Sequence, residues 1–131
     1  MSHENVVTVE HIYAEASTAF AFEVYSPYIE WDLTNYVGWT EKPVYHGHEG
    51  VREMMQGWVR SFDSWDATLE RADLVDDEVL AVVTDRAYMK GSSQPLVRRH
   101  AVRFTFRGDA IVRARFYSEV SEALKAVGLE E

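Results

Sequence analysis

A chain of 131 residues that is 47% hydrophobic and 27% charged is long enough for one domain with a real core, and too apolar to stay disordered. Its formal charge of −9, from 22 acidic and 13 basic residues, argues against nucleic acid and anionic membrane surfaces as partners, because phosphate binding needs Lys and Arg in excess. Without cysteine there is no disulfide framework, thiolate metal site or cysteine nucleophile.

The N-terminal MSHENVV lacks a basic stretch followed by an apolar core, and no run approaches the roughly 18 apolar residues of a membrane span. A cytoplasmic location is therefore expected. Ser2 is placed to cap a first helix in which Val6, Val9, Tyr13 and Ala16 share a face. Ser17-Thr18 offers a second cap before AFAFEVY, so two short helices are predicted. Ser26-Pro27 breaks that pattern, and IEWDL reads as a short strand. A loop with Gly38 and Pro43 leads into residues 45–62, YHGHEGVREMMQGWVRSF, an entry loop followed by a helix. Its Val51, Met54, Met55, Trp58, Val59 and Phe62 fall on one stripe, the spacing of a half-buried helix.

Past Phe62 the hydrophobic period drops from about 3.6 to about 2. Strands are predicted at about 66–75, 79–90, 96–107 and 110–118, separated by Asp76-Asp77-Glu78, by the turn from Gly91 to Pro95, and by Gly108-Asp109. Short turns imply antiparallel hairpins. The closing EVSEALKAVG ends in Gly128 as a short helix would. No repeat or linker divides the chain, so residues 1–131 form a single domain.

An amphipathic helix laid over a curved antiparallel sheet leaves a gap where a small ligand fits. Around residues 98–106, Arg98, His100, Val102, Phe104 and Phe106 share the more apolar face, which is expected to point inward, with His100 at the polar end of a hydrophobic pocket. On the preceding strand Leu80, Val82, Thr84, Arg86 and Tyr88 alternate with Val79, Ala81, Val83, Asp85 and Ala87, and pattern alone does not choose between the faces. Trp31, Trp39, Met54, Met55 and Trp58 would give an adaptable lining for a flat or greasy ligand, although core packing is the plainer use of Met55 and Trp58. His46, His48 and Glu49 lie close enough to invite a metal, but the spacing is unspecific and no second cluster accompanies it, so neither metal nor cofactor is expected. Arg98, Arg99, Arg103, Arg107, Arg113 and Arg115 form a basic patch on the last two strands, which cross-strand pairing or a dimer interface explains better than nucleic acid.

The element order, together with YHGHEGVREMM, GDAIVRARFY and EALKAVGL, resembles the SnoaL-like polyketide cyclase branch of the nuclear transport factor 2-like superfamily over nearly the whole chain. The resemblance implies an α+β fold: a cone of N-terminal helices on a strongly curved, mainly antiparallel sheet (a cystatin-like α+β barrel). It also implies a pocket between the layers and a homodimer through the outer sheet face. Members include isomerases, dehydratases, cyclases, epoxide hydrolases and proteins without known chemistry. Similarity to the ketosteroid isomerases implies Asp32 as the carboxylate that removes a carbon-bound proton and Tyr13 as the donor to the developing oxyanion. The protonated acid of that site falls near Val102, so His100 would have to substitute from two residues away. Similarity to the epoxide hydrolases places Arg86 and Tyr88 inside, but Tyr88 stands where one of that family's aspartates belongs and the other falls near Phe116.

The expected protein is a cofactor-free isomerase, cyclase or dehydratase acting on a small hydrophobic carbonyl substrate. Asp32, Tyr13 and His100 are its candidate catalytic residues, and Trp31, Trp39, Met54, Trp58, Arg86, Tyr88, Val102, Phe104 and Phe116 its pocket lining. The alternative is a binding protein with the same pocket and no turnover.

Overall fold

The apolar stripe and the period-two runs become helices and strands in a computed structural model that describes residues 2–14, 22–37 and 42–130. Helix α1 spans Ser2–Ala14, and after a short 3-10 turn at Phe22–Val24 come strands β1 (Tyr25–Asn35) and β2 (Val44–His46). Helix α2 (Gly47–Arg60) leads into the long strands β3 (Phe62–Val75), β4 (Glu78–Met89), β5 (Pro95–Arg107) and β6 (Ala110–Tyr117), and helix α3 (Val120–Ala126) follows. The expected cap at Ser17-Thr18 lies outside the described residues, as does Trp39, and the helix expected after that cap is a 3-10 turn where it is described.

The sheet runs β2-β1-β6-β5-β4-β3 and is open, not a closed barrel. Its neighbours are antiparallel except β1 and β6, which pair in parallel. Laid flat, six strands about 4.8 Å apart would put the edges roughly 24 Å from each other. The single ring of Trp58 on α2 nevertheless meets both Tyr36, just after β1, at 6.1 Å and Trp65 on β3 at 6.3 Å, so the sheet curls around the helix. Helix α1 lies against β3 and β4, whereas α3 covers β4, β5 and β6.

Two apolar clusters result. The larger gathers Val9, Trp31, Val51, Met54, Val83, Val102 and Phe104 between the curled sheet and α1 and α2. The smaller sets Val120, Ala123 and Leu124 of α3 on Leu80, Val82, Ala101 and Tyr117 of the outer face. Among the described residues no helix is long and apolar enough to cross a membrane.

Strand β1 is longer than IEWDL because it tolerates Pro27. Its register against β6 shifts between Tyr25 and Glu30, and the exposed Pro27 sits in that irregular stretch, so its missing N–H breaks no ladder bond. Where β2 turns into α2, Gly47 adopts φ +71°, and a Cβ there would lie 3.3 Å from the Pro27 carbonyl oxygen. His48 Nε2 donates to the Tyr25 carbonyl at 2.9 Å, tying α2 to β1.

Four arginines of the basic patch, Arg99, Arg103, Arg113 and Arg115, form cross-strand pairs on the outer face, whereas Arg98 shares the inner face of its strand with His100. Glu78 accepts from Arg103 Nε at 2.7 Å, Thr105 Oγ1 at 2.7 Å and Arg115 Nη2 at 3.0 Å, joining three strands through one carboxylate. Arg99 pairs with Glu70 at 3.1 Å and Arg113 with Glu30 at 2.8 Å. Burial pushes the Glu78 carboxyl up, but the bonds from Thr105 and Arg103 and the charges of Arg103 and Arg115 outweigh it and hold it below its ordinary value.

Several tyrosines are sealed under the helices. Burial raises the phenols of Tyr13 and Tyr25 well above the ordinary value, with the charge of Asp85 adding to the effect at Tyr13. Burial also pushes Tyr36 up to about 12, against the pull of Arg98.

Three expected outcomes follow from this architecture. Folded Glu78 binds fewer protons than the unfolded carboxyl, so its contribution is present at neutral pH and disappears as pH falls through the carboxylate range. Chemical denaturation of Glu78→Gln should show a loss of about 1–3 kcal/mol at pH 7 that shrinks toward pH 3. Gly47→Ala meets both an unfavourable φ and a crowded Cβ, and the same assay should register a loss of about 1–2 kcal/mol. The buried phenols keep protons that an unfolded chain surrenders near pH 10, so their contribution is whole below about pH 10 and lost as pH rises toward their folded values. An alkaline titration read by phenolate absorbance should leave at least Tyr13, Tyr25 and Tyr36 of the seven tyrosines un-ionised at about pH 11, until denaturant lets all titrate together.

Candidate functional site on the inner sheet face

Alternation along β5 directs Arg98, His100, Val102, Phe104 and Phe106 toward the helices, as its apolar pattern predicts. The β4–β5 register pairs Val83 with His100 and Asp85 with Arg98, so the inner set of β4 is Val79, Ala81, Val83, Asp85 and Ala87. Asp85 and His100 are the buried polar side chains among the described residues, 5% and 8% exposed. They meet each other, with His100 Nδ1 at 2.6 Å from Asp85 Oδ2. The approach is oblique, off the axis of a straight hydrogen bond. The other carboxylate oxygen, Oδ1, accepts from Trp65 Nε1 on β3 at 3.1 Å.

Aromatic rings surround this pair. Tyr36 stands edge-on to the His100 ring at 5.8 Å, and Phe116 lies tilted against it at 6.1 Å. Beyond Phe116, Trp31 sits at 4.9 Å, and its buried indole Nε1 has no hydrogen-bond partner among the described residues. Trp58 on α2 bridges Tyr36 at 6.1 Å and Trp65 at 6.3 Å. Tyr13 on α1 meets Phe104 edge-on at 6.5 Å, close enough to Asp85 for the carboxylate's charge to be felt at its phenol. The turn after β1 fixes Tyr36: the Val37 N–H donates to Ser118 Oγ at 2.5 Å and the Ser118 N–H to the Asn35 carbonyl at 3.1 Å.

Of the residues singled out from the sequence, His100, Tyr13, Trp31, Met54, Trp58, Val102, Phe104 and Phe116 all belong to this inner region. Asp32 does not. It shares the outer face with Glu30, its Oδ2 at 3.6 Å from Arg113 Nη2 and its Oδ1 accepting from the Thr34 N–H at 2.9 Å. The cause is strand alternation: Trp31 and Asp32 are neighbours on one strand and cannot face the same side. Arg86 and Tyr88 are likewise outer-face residues, in step with Leu80, Val82 and Thr84, and Arg86 is exposed. Residue reading missed Asp85, Trp65 and Tyr36. The first had a signal, as a lone acid in the otherwise apolar set Val79, Ala81, Val83 and Ala87.

No protein-family model matches the chain, and no curated protein matches it in sequence. Solved structures do. A protein with a ketosteroid isomerase-like fold from Catenulispora acidiphila DSM 44928, in complex with trimethylamine, superposes with TM-score 0.71 at 15% identity, over 99% of this chain and 96% of its own. TerC, co-crystallised with polyporic acid, gives TM-score 0.75 at 15% identity over 94% of this chain and 96% of that one. A protein described as a SnoaL-like polyketide cyclase, from Jannaschia sp. CCS1, gives 0.74 at 14% identity over 99% and 95%. Identities this low speak for the architecture alone, and on that ground the chain has the ketosteroid isomerase-like fold of the nuclear transport factor 2-like proteins, the fold carried by SnoaL-like polyketide cyclases.

Proposed function

We propose that the inner sheet face binds a small, largely apolar carbonyl compound and that His100, held by Asp85, moves a proton on it, in cofactor-independent chemistry of the isomerase, cyclase or dehydratase type. The observation that carries this reading is the buried contact of His100 Nδ1 with Asp85 Oδ2 at 2.6 Å on an otherwise apolar surface. A carboxylate at Nδ1 fixes the imidazole and makes Nε2 the nitrogen available to a ligand, the arrangement in which histidine serves first as base and then as acid. In such a step Nε2 takes a proton alpha to the carbonyl, the electron pair moves to oxygen, and the enolate is reprotonated elsewhere or expels a β-hydroxyl. Candidate donors for that oxygen are the neutral Tyr13 phenol and the Trp31 N–H, which has no hydrogen-bond partner among the described residues. The small molecules named with two of the similar structures, trimethylamine and polyporic acid, support an occupant of this size class.

The aromatic walls would serve a binding protein without turnover equally well, and exchange chemistry separates the two. With 2-tetralone as probe in deuterated buffer, the protein should accelerate exchange at the alpha carbon, and His100→Gln should lower that rate by about 10²-fold or more while quenching of tryptophan fluorescence shows retained binding. Binding with no accelerated exchange would establish the non-catalytic reading instead, and acceleration undiminished in His100→Gln would remove His100 from the chemistry.

The proposal keeps the chain in the cytoplasm as a homodimer. Its interface would use the outer-face area that α3 leaves uncovered, around Arg86 and the 53%-exposed Val97. Sedimentation equilibrium should then give twice the chain mass, and Val97→Glu should shift the protein toward monomer.

A further inference from the structure

Arg98 differs from Arg99 and Arg103 of the same strand. Arg99 and Arg103, on the outer face, are paired with Glu70 and Glu78. Arg98 points inward, two residues before His100, and its polar contacts are neutral: it donates to the Val37 carbonyl at 3.1 Å and lies 5.4 Å above the centre of the Tyr36 ring. No carboxylate pairs with it among the described residues. Asp85 is its opposite on β4, but the two oxygens of Asp85 are turned to Trp65 and His100. In a chain with 22 acidic and 13 basic residues, a half-buried guanidinium beside the site with no carboxylate paired to it among the described residues is an arrangement that an anion from outside would stabilise.

Geometry places the charge where a ligand would feel it. The Tyr36 ring carries Arg98 on its face and stands edge-on to the His100 imidazole, so cation and candidate proton carrier share one wall. The rings of His100, Phe116 and Trp31 continue that wall away from Arg98. A molecule lying along it presents apolar surface to the rings and one end to the guanidinium, whose planar fork suits a carboxylate, a sulfonate or an ionised enol.

We propose that the ligand of this site is an organic acid, with Arg98 as the residue that binds its anionic group while the rings around His100 hold its apolar body. The inference rests on the pocket reading given above and names its substrate class. Stacking on Tyr36 and the bond to Val37 hold the guanidinium in place before the ligand arrives, so little freedom is lost on binding.

Two probes with one skeleton test it: 8-anilinonaphthalene-1-sulfonate, which is anionic, and N-phenyl-1-naphthylamine, which lacks the sulfonate. Affinity is read by probe fluorescence, and location by the shift of the His100 ring-proton resonance, assigned through His100→Gln. The expected result is that both probes move the His100 resonance and that the sulfonate binds about tenfold more tightly or better. Arg98→Met should abolish that preference with the neutral probe unaffected, which also shows the variant folded, and Arg98→Lys should keep part of it. Lys125→Met, which removes an exposed charge from α3, should leave the preference intact and so exclude a general effect of net charge. Equal affinity for the two probes in the wild type, or a preference that survives Arg98→Met, overturns the assignment of Arg98 and leaves the pocket standing. If neither probe moves the His100 resonance, the pocket reading falls and this inference with it.

Discussion

The unbroken pairing of β4 with β5, from Glu78 opposite Thr105 to Tyr88 opposite Pro95, ties the interior and the outer face to one register. Opposite residues in an antiparallel ladder keep a constant sum, so one choice assigns every side chain of both strands to a face. It sets Asp85 beside His100 under the helices and Glu78 beside Thr105 and Arg103 on the other side. A slip by one residue would carry Thr84 and Arg86 into the apolar interior and Asp85 into solvent. Either consequence is costly enough to pin the pairing, so the site and the external ion cluster hold each other in place.

The two polar constellations are built to different standards. Glu78 receives three donors with ordinary hydrogen-bond distances, which is how a partly buried carboxylate adds to stability. Asp85 and His100 are more deeply buried, meet obliquely, and have one further strong bond between them, the one from Trp65. An apolar pair of the same volume would fold at least as well there. An inner pair left less well satisfied than the Glu78 carboxylate is the pattern expected when the inner groups are kept for something other than folding.

How far the residues alone led depends on which periodicity was in play. The stripe on α2 and the period-two runs of β4, β5 and β6 were legible because each side chain's environment follows from local spacing. Helices and turns of this kind carried the α+β architecture, and the apolar face of β5 carried His100. Strand β2 and the parallel contact of β1 with β6 were not legible, since three residues give no periodicity and a parallel neighbour is chosen by topology. The face of β4 was not legible, because both of its alternating sets are apolar up to Val83 and its register depends on where the turn closes. The turn read from the sequence, Gly91 to Pro95, sets Lys90 opposite Leu96 and so Arg86 opposite His100, whereas the observed register pairs Tyr88 with Pro95 and Val83 with His100, which brings Asp85 in and sends Arg86 out. Asp32 failed for a related reason: placing it inside with Trp31 required two adjacent strand residues to face one way, and resemblance to a distant site outweighed that rule.

Strand β3 is the longest free border of the described sheet, with 14 residues and β4 as its single ladder neighbour. An exposed row of backbone N–H and C=O groups of that length is a template on which another chain can grow a strand. Two register irregularities interrupt it, near Phe62 and near Leu69, and Asp63, Asp66, Glu70 and Asp73 are strung along it. Kinks spoil the straight template, and charged side chains along it, Glu70 and Asp73 being paired with Arg99 and Arg71, disfavour a further strand. Part of the acidic excess thus lies where uncontrolled sheet extension, and the insoluble fibres it leads to, would otherwise begin.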